Sequence, residues 1–194
     1  MNLPNKLTLL RVVLIPFFLL FMYINVPFHY GIALVIFAAA SITDALDGKI
    51  ARSRNLVTNF GKFLDPLADK VLVIAALTVF VELPDVNMGA IPLIIIIARE
   101  FMVSGLRLLA ANSGVVVAAG IWGKLKTAFT MVAIIAILFW LCLCFDFSID
   151  FPEVFRNAVN NIIVPVLVWI STILTVISGG VYLKGYWHLI DSDK

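Results

Sequence analysis

The chain has 194 residues, of which 62% are hydrophobic and 13% are charged, and its mean hydropathy is +1.08. Soluble domains usually contain roughly 25% charged residues, so the composition excludes an ordinary soluble protein and predicts an integral membrane protein. The formal net charge of +2 is too small, and the basic residues too scattered, to indicate a nucleic-acid partner.

Apolar stretches separated by polar or turn residues divide the chain along its whole length. A transmembrane helix needs roughly 20 apolar residues, which leaves room for about six helices and short loops. We therefore predict one domain over residues 1–194, an all-α bundle of about six transmembrane helices. The predicted spans are residues 8–25, 31–52, 61–82, 90–110, 121–145 and 162–184.

The distribution of Lys and Arg predicts the orientation in the membrane. Basic residues lie before the first span, between spans two and three, between spans four and five, and after the last span. The opposite loops hold Arg156 together with several acidic residues. Because cytoplasmic loops carry an excess of Lys and Arg, both termini are predicted to be cytoplasmic in a multi-pass protein of the cell membrane.

Two pairs of aspartates lie where the second predicted span ends and the third begins. Asp44 and Asp47 are three residues apart, and Asp65 and Asp69 are four apart, so each pair shares one helix face. Carboxylates in or near a bilayer mark functional sites. Four of them together need cations, and oxygen ligands favour Mg²⁺ or a similar ion, which binds through carboxylates and substrate phosphates. The pattern predicts a divalent-metal site, facing the cytoplasm, for a phosphorylated substrate.

The residues between the pairs fit this prediction. Gly48 and Gly61 allow a close backbone approach, and the Arg52 guanidinium suits phosphate oxygens. Taken singly, an Asp-Gly pair is often only a turn, and a loop carboxylate is often a solvated ion pair. A cation transporter with an aspartate-lined path is the alternative from another functional class. A transporter would more naturally carry its carboxylates near the midplane, with internal repeats, and the sequence has no evident repeat.

The spacing of these residues resembles a known signature. CDP-alcohol phosphotransferases, integral membrane enzymes of phospholipid synthesis, carry a motif similar to Asp44-x(2)-Asp47-Gly48-x(2)-Ala51-Arg52-x(8)-Gly61-x(3)-Asp65-x(3)-Asp69. Residues 4–11, 61–70, 98–107 and 123–127 further resemble the bacterial members that make phosphatidylglycerophosphate.

The resemblance implies transfer of a phosphatidyl group from CDP-diacylglycerol to glycerol 3-phosphate, within the lipid membrane. It implies that the four aspartates hold two Mg²⁺ or Mn²⁺ ions and that Asp69 is the general base. The alternative within the family is a sibling enzyme that uses the same chemistry with another acceptor, such as inositol phosphate, serine or a second phospholipid. The residues implied to contact the CDP group are Asn5, Thr8, Gly48, Arg52 and Thr58.

A second group of basic residues is predicted to bind the phosphate of the acceptor. Arg99 follows the apolar run 94–98, where a charge is costly unless it faces a polar cavity. Arg107 lies two turns later, and Lys124 and Lys126 begin the next span at the same membrane side. In the alternative interpretation, Arg107 and the lysines only anchor helix ends, and Arg99 only pairs with Glu100 or a neighbouring helix.

Two further features concern packing. Small residues at 38–40 and 179–180 allow close helix contacts, and either patch could form a homodimer contact. Several aromatic residues near the predicted interfaces are expected to form an aromatic belt. They are Trp122, Trp169, Trp187, Tyr182 and Tyr186.

Overall fold

Long helices form at the positions of the predicted spans. A computed structural model describes the backbone of residues 3–53, 59–112 and 120–187, and the side chains in these ranges except 3–5, 44–66, 69 and 111–112. Within these ranges the chain is helical and contains no strand, which confirms the all-α prediction. The helices are α1 (Leu3–Tyr23), α2 (His29–Ser53), α3 (Asn59–Glu82), α4 (Ala90–Asn112), α5 (Ile121–Leu141), α6 (Glu153–Ala158) and α7 (Val164–Tyr186).

Two π-helical turns continue the helical segments of the second half. The turn at Cys142–Asp146 extends α5, and the turn at Val159–Ile163 joins α6 to α7. Three segments in the described ranges are long and apolar enough to cross a membrane, namely Lys6–Tyr23, Ile121–Asp146 and Glu153–Tyr186. A shorter apolar helix covers His29–Thr43. In α2 the apolar run ends just before Asp44.

Large apolar side chains cover much of the outer surface. Ile121 and Val154 are each 82% exposed, and many Leu, Ile, Val and Phe side chains are about half exposed. Such a surface is unusual for a monomeric soluble protein, whereas lipid tails solvate it readily. The surface and the three long apolar helices together are consistent with the predicted membrane protein.

The described chain divides into two compact units, and the first consists of Met1–Pro84 and Ile134–Arg156. In this unit α1 packs against α2 and α3. Apolar residues at intervals of three or four form the buried face of each helix. They are Ile15, Phe18 and Met22 of α1, Ala33, Phe37 and Ala40 of α2, and Leu72, Ala76 and Phe80 of α3.

Contacts at the helix ends fix the directions of α1, α2 and α3. The His29 Nδ1 lies 3.1 Å from the Phe21 carbonyl oxygen, so α2 turns back along α1. The Tyr23 hydroxyl donates a hydrogen bond to the Glu82 carboxylate, which joins the last turns of α1 and α3. The carboxyl-terminal end of α2 and the amino-terminal end of α3 therefore lie at the same end of the unit as the start of α1.

The second unit consists of Asp85–Ala133 and Asn157–Lys194, and α4 packs against α7 within it. The buried face of α4 is apolar at Ile96, Val103 and Leu106. The buried face of α7, in contrast, becomes polar along the helix. Its buried polar residues are Ser171, Thr172, Thr175 and Ser178, and Tyr182 continues the same face.

Candidate active site

The backbone brings the two aspartate pairs to one end of the first unit. Asp44 and Asp47 lie in the carboxyl-terminal half of α2, and Asp65 and Asp69 lie in the first half of α3. The backbone is helical at all four positions, so the two members of each pair are about one helical turn apart. The side chains of all four aspartates lie outside the described residues, and the predicted metal site remains a prediction. Among the side chains that are described, no group of three or more His, Cys, Asp or Glu residues is gathered.

The predicted CDP-binding residues are described only in part. Thr8 is 1% exposed, on the buried face of α1, at the end of the unit to which the aspartates belong. Gly48 and Arg52 lie on α2, and the side chains of Arg52 and Asn5 are outside the described residues. Thr58 lies outside the described backbone as well.

Three of the four predicted acceptor-binding residues join one network in the second unit. Glu100 receives hydrogen bonds from Arg99 Nη1 at 2.9 Å and from Lys126 Nζ at 2.5 Å. The side chains of Arg99, Glu100 and Lys126 are only 10%, 14% and 6% exposed. A buried charge is stable only when it is paired and hydrogen-bonded, so one carboxylate holds two cations from α4 and α5. The alternative interpretation was that Arg99 only pairs with Glu100 or with a neighbouring helix. Both of these contacts are present.

The third member is Arg107, which contacts Tyr182 on α7. Its Nη2 donates a hydrogen bond of 3.2 Å to the Tyr182 hydroxyl. Arg99 reaches the same helix, because its Nη2 donates to the Ser178 hydroxyl at 2.5 Å. Lys124 is exposed at the start of α5. We call Arg99, Glu100, Arg107, Lys126 and Tyr182 the basic cluster.

The geometry around Arg99 leaves its Nε without an acceptor among the residues that the structure describes. This nitrogen is buried. The side chain fits because residue 179 is glycine: a Cβ there would lie 3.0 Å from Arg99 Cγ and 3.2 Å from Met102 Cε. Gly179 thus allows close packing of α7 on α4, one of the two roles predicted for this patch. A buried donor without an acceptor is costly, so an anionic oxygen from a ligand would stabilise this arginine.

Comparison with known proteins identifies the family. The family model described as CDP-alcohol phosphatidyltransferase matches residues 1–177. The chain belongs to the CDP-alcohol phosphatidyltransferase family. As a member of this family the protein is an enzyme rather than a transporter.

Curated relatives of this phosphatidyltransferase match over most of its length. A protein of Bacillus subtilis (strain 168) is 41% identical, with 100% of this chain and 99% of the relative covered. A protein of Rickettsia bellii is 40% identical, with 94% of each chain covered. A protein of Escherichia coli (strain K12) is 45% identical over 72% of this chain and 77% of its own. Each of the three is named CDP-diacylglycerol–glycerol-3-phosphate 3-phosphatidyltransferase.

Two features of this phosphatidyltransferase differ from what sequence reasoning expected. Tyr182 was predicted to belong to the aromatic belt, but it is 5% exposed and contacts arginines. Arg11 is one of the amino-terminal basic residues from which the orientation was predicted, but it is fully buried on the face of α1 that carries Thr8. Helical spacing could have indicated both, since Arg11 follows Thr8 by three residues and Tyr182 follows Ser178 by four.

Proposed function

We propose that this phosphatidyltransferase transfers the phosphatidyl group of CDP-diacylglycerol to sn-glycerol 3-phosphate, forming phosphatidylglycerophosphate and CMP. The observation that carries the proposal is the eight-residue signature between Asp44 and Asp69, whose acid pairs belong to two helix segments at one end of a unit. The names of the relatives, which match across nearly the full chain, support glycerol 3-phosphate as the acceptor.

The reaction requires a nucleophile, a base and a leaving group. A hydroxyl oxygen of glycerol 3-phosphate attacks the phosphorus that bears the diacylglycerol, and the bond from that phosphorus to CMP breaks. The proton of the hydroxyl passes to a carboxylate, which we assign to Asp69, because an alcohol is a weak nucleophile at neutral pH without a base. Asp69 lies one helical turn from Asp65, so the base belongs to the acidic face itself.

The four aspartates fit a pair of divalent ions, Mg²⁺ or Mn²⁺. Their donor atoms are all carboxylate oxygens, which such ions prefer. Asp44, Asp47, Asp65 and Asp69 would hold the ions, and the negative charges of these residues would repel one another without them. When bound, two ions offset the charge on the pyrophosphate and stabilise CMP as it leaves. Gly48 and Arg52, with Asn5, Thr8 and Thr58, would bind the CDP group.

The basic cluster supports a site for the acceptor phosphate. Arg99 has a buried Nε that lacks an acceptor among the described residues, and Arg107 offers a second guanidinium on the same helix. Guanidinium groups bind phosphate oxygens through charge-assisted hydrogen bonds. Lys126 is already paired with Glu100, so we assign it an indirect role in binding the phosphate. The exposed Lys124 adds positive charge at the start of α5.

The topology that accompanies this function has six transmembrane helices, with both termini and the active site on the cytoplasmic side. The distribution of Lys and Arg among the loops supports this orientation. CDP-diacylglycerol would reach the site from the lipid, and the water-soluble acceptor from the cytoplasm.

An acceptor panel tests the proposal directly. The purified protein is incubated in detergent with CDP-diacylglycerol and one of four acceptors: glycerol 3-phosphate, inositol phosphate, serine or phosphatidylglycerol. Release of CMP is measured with Mg²⁺, with Mn²⁺ and with excess EDTA. We expect CMP release with glycerol 3-phosphate and a divalent ion, loss of turnover in EDTA, and recovery when Mg²⁺ is restored.

Each part of the proposal can fail separately. A clear preference for another acceptor would replace glycerol 3-phosphate but keep phosphatidyl transfer. Full turnover in EDTA would contradict the metal site. A protein that folds, binds CDP-diacylglycerol and releases no CMP with any acceptor would contradict the assigned reaction.

A further inference from the structure

Tyr182 lies where two arginines of α4 meet α7. The guanidinium carbon of Arg99 is 5.6 Å from the centre of the Tyr182 ring, and that of Arg107 is 5.5 Å away. A cation within about 6 Å of an aromatic centroid is attracted by the electrons of the ring face. One buried ring therefore contacts both arginines that we assign to the acceptor phosphate.

The hydroxyl group of Tyr182 adds polar contacts to those of the ring. It accepts a hydrogen bond from Arg107 Nη2 at 3.2 Å and another from the Gly120 backbone N–H at 3.0 Å. A Cβ at Gly123 would lie 3.2 Å from the same oxygen, so the start of α5 packs closely on it. Tyr182 thus connects α7 to α4 and to the first turn of α5.

The chemistry of these contacts differs from that of the Glu100 ion pairs. Glu100 is an anion, so it offsets the positive charge of Arg99 and Lys126 and competes with any anion that binds there. A tyrosine ring has no net charge; it attracts a guanidinium through its quadrupole and leaves the positive charge in place. An aromatic residue is therefore well suited to hold two like charges near each other while both remain available to a phosphate.

We propose that Tyr182 is a positioning residue for the acceptor site, which fixes the Arg99 and Arg107 guanidinium groups in the arrangement that binds the acceptor phosphate. The proposal rests on the proposed function, because it takes the acceptor to be a phosphate monoester bound by these arginines. Preorganised donors bind an anion more tightly, since less side-chain entropy is lost on binding.

Two substitutions separate the contributions of the ring and the hydroxyl. Tyr182→Phe keeps the ring and removes the hydroxyl, and we expect the KM for glycerol 3-phosphate to rise about 3-fold because a hydrogen bond to a charged donor is lost. Tyr182→Leu removes both, and we expect a rise of about 10-fold or more because two cation–π contacts are lost as well. The KM for CDP-diacylglycerol should stay within about 2-fold in both variants, because its contacts are assigned to other residues.

Tyr186→Phe is the matched control. Tyr186 lies one turn further along α7 and stacks on Tyr182 at a centroid distance of 6.4 Å. The same loss of a hydroxyl at this position should leave both KM values unchanged. Thermal midpoints in detergent are measured for every variant, so that a loss of folding is not counted as a loss of binding.

The outcomes separate this inference from the proposed function. A stable Tyr182→Leu protein with an unchanged KM for glycerol 3-phosphate would overturn the positioning role, even if Arg99→Ala raised that KM. Both KM values rising in parallel with a lower thermal midpoint would mean a purely structural role and would also overturn it. If Tyr182→Leu does not fold, the Phe variant decides, since it retains the ring and its packing. Failure of the proposed function is detected independently, because wild-type protein would then not use glycerol 3-phosphate.

Discussion

The aspartate end of α2 and α3 and the basic cluster of α4, α5 and α7 are built in opposite ways. The acidic residues lie within 26 consecutive positions on two helices that follow each other in the chain. The basic cluster takes its members from three helices, with Arg99 and Tyr182 far apart in sequence. The aspartate end can therefore be recognised in the sequence as a motif. The basic cluster forms only when the helices have packed.

The two regions also handle charge differently. The basic cluster contains its own counter-ion, because Glu100 pairs with both Arg99 and Lys126. We propose that the aspartates instead rely on bound metal ions. A change at the acidic end should therefore abolish the reaction, while changes in the basic cluster should reduce acceptor binding by degrees.

The largest effect is expected for Asp69→Asn. An amide cannot accept the hydroxyl proton, so kcat should fall at least about 100-fold, the usual contribution of a general base. The measurement is CMP release at saturating substrates. Asp150→Asn is the control, because the Asp150 side chain is fully exposed and lies 3.8 Å from Arg156 in a loose ion pair. Wild-type-like turnover by Asp69→Asn would remove Asp69 as the base and weaken the contrast between the two regions.

Arg99→Ala should have the next largest effect. Charge-assisted hydrogen bonds to phosphate contribute about 1.5–3 kcal/mol each, so the KM for glycerol 3-phosphate should rise about 10- to 100-fold. The fold should tolerate the change because Glu100 keeps Lys126 as its partner. Arg99→Lys should recover part of the loss, since lysine restores the charge without the planar fork. Arg156→Ala, at an exposed site, is the control, and an unchanged KM in Arg99→Ala would refute the acceptor site.

A smaller effect is expected for Gly179→Ala. The added Cβ would lie 3.0 Å from Arg99 Cγ, so the arginine must shift and the KM for glycerol 3-phosphate should rise about 2- to 5-fold if the cost resembles mild overpacking. Gly180→Ala adds the same methyl group to the next residue, where nothing lies within 4 Å, and should change neither KM nor stability. Equal behaviour of the two variants would mean that the position of Arg99 does not limit acceptor binding.

The smallest effect concerns stability alone. The hydroxyl groups of Thr130 on α5 and Ser171 on α7 lie 2.6 Å apart and are buried. Hydrogen bonds between membrane helices average about 0.6 kcal/mol in double-mutant cycles. We expect a coupling free energy of about this size when the reversible unfolding of Thr130→Val, Ser171→Ala and the double variant is compared with that of the wild type. The KM for glycerol 3-phosphate should be unchanged. A coupling near zero would show that this contact does not stabilise the helix pair.

Some features of the fold and of the site could be predicted from the sequence, and others could not. Helix positions followed from apolar run length, since a bilayer requires about 20 apolar residues per helix. The acid pairs followed from intervals of three and four within one helix. Tyr182 was misassigned because an aromatic residue near a helix end is typical of a membrane interface, and only the packing of α7 on α4 brings it to the arginines. The ion pair between Lys126 and Glu100 could not be predicted from the sequence either, because Glu100 is 26 positions away on another helix.

The helical class, the apolar character of the helices, the acidic signature and the resemblance to the family all follow from the amino-acid sequence, because hydropathy and short-range spacing act within single helices. Which charged groups contact each other depends on how the helices pack. Glu100 holds two cations, and Tyr182 contacts two arginines, because helices distant in the chain pack against each other and bury those side chains. Burial lowers the local dielectric, so every buried charge requires a partner. The pairing therefore depends on helix packing, which no local sequence pattern predicts.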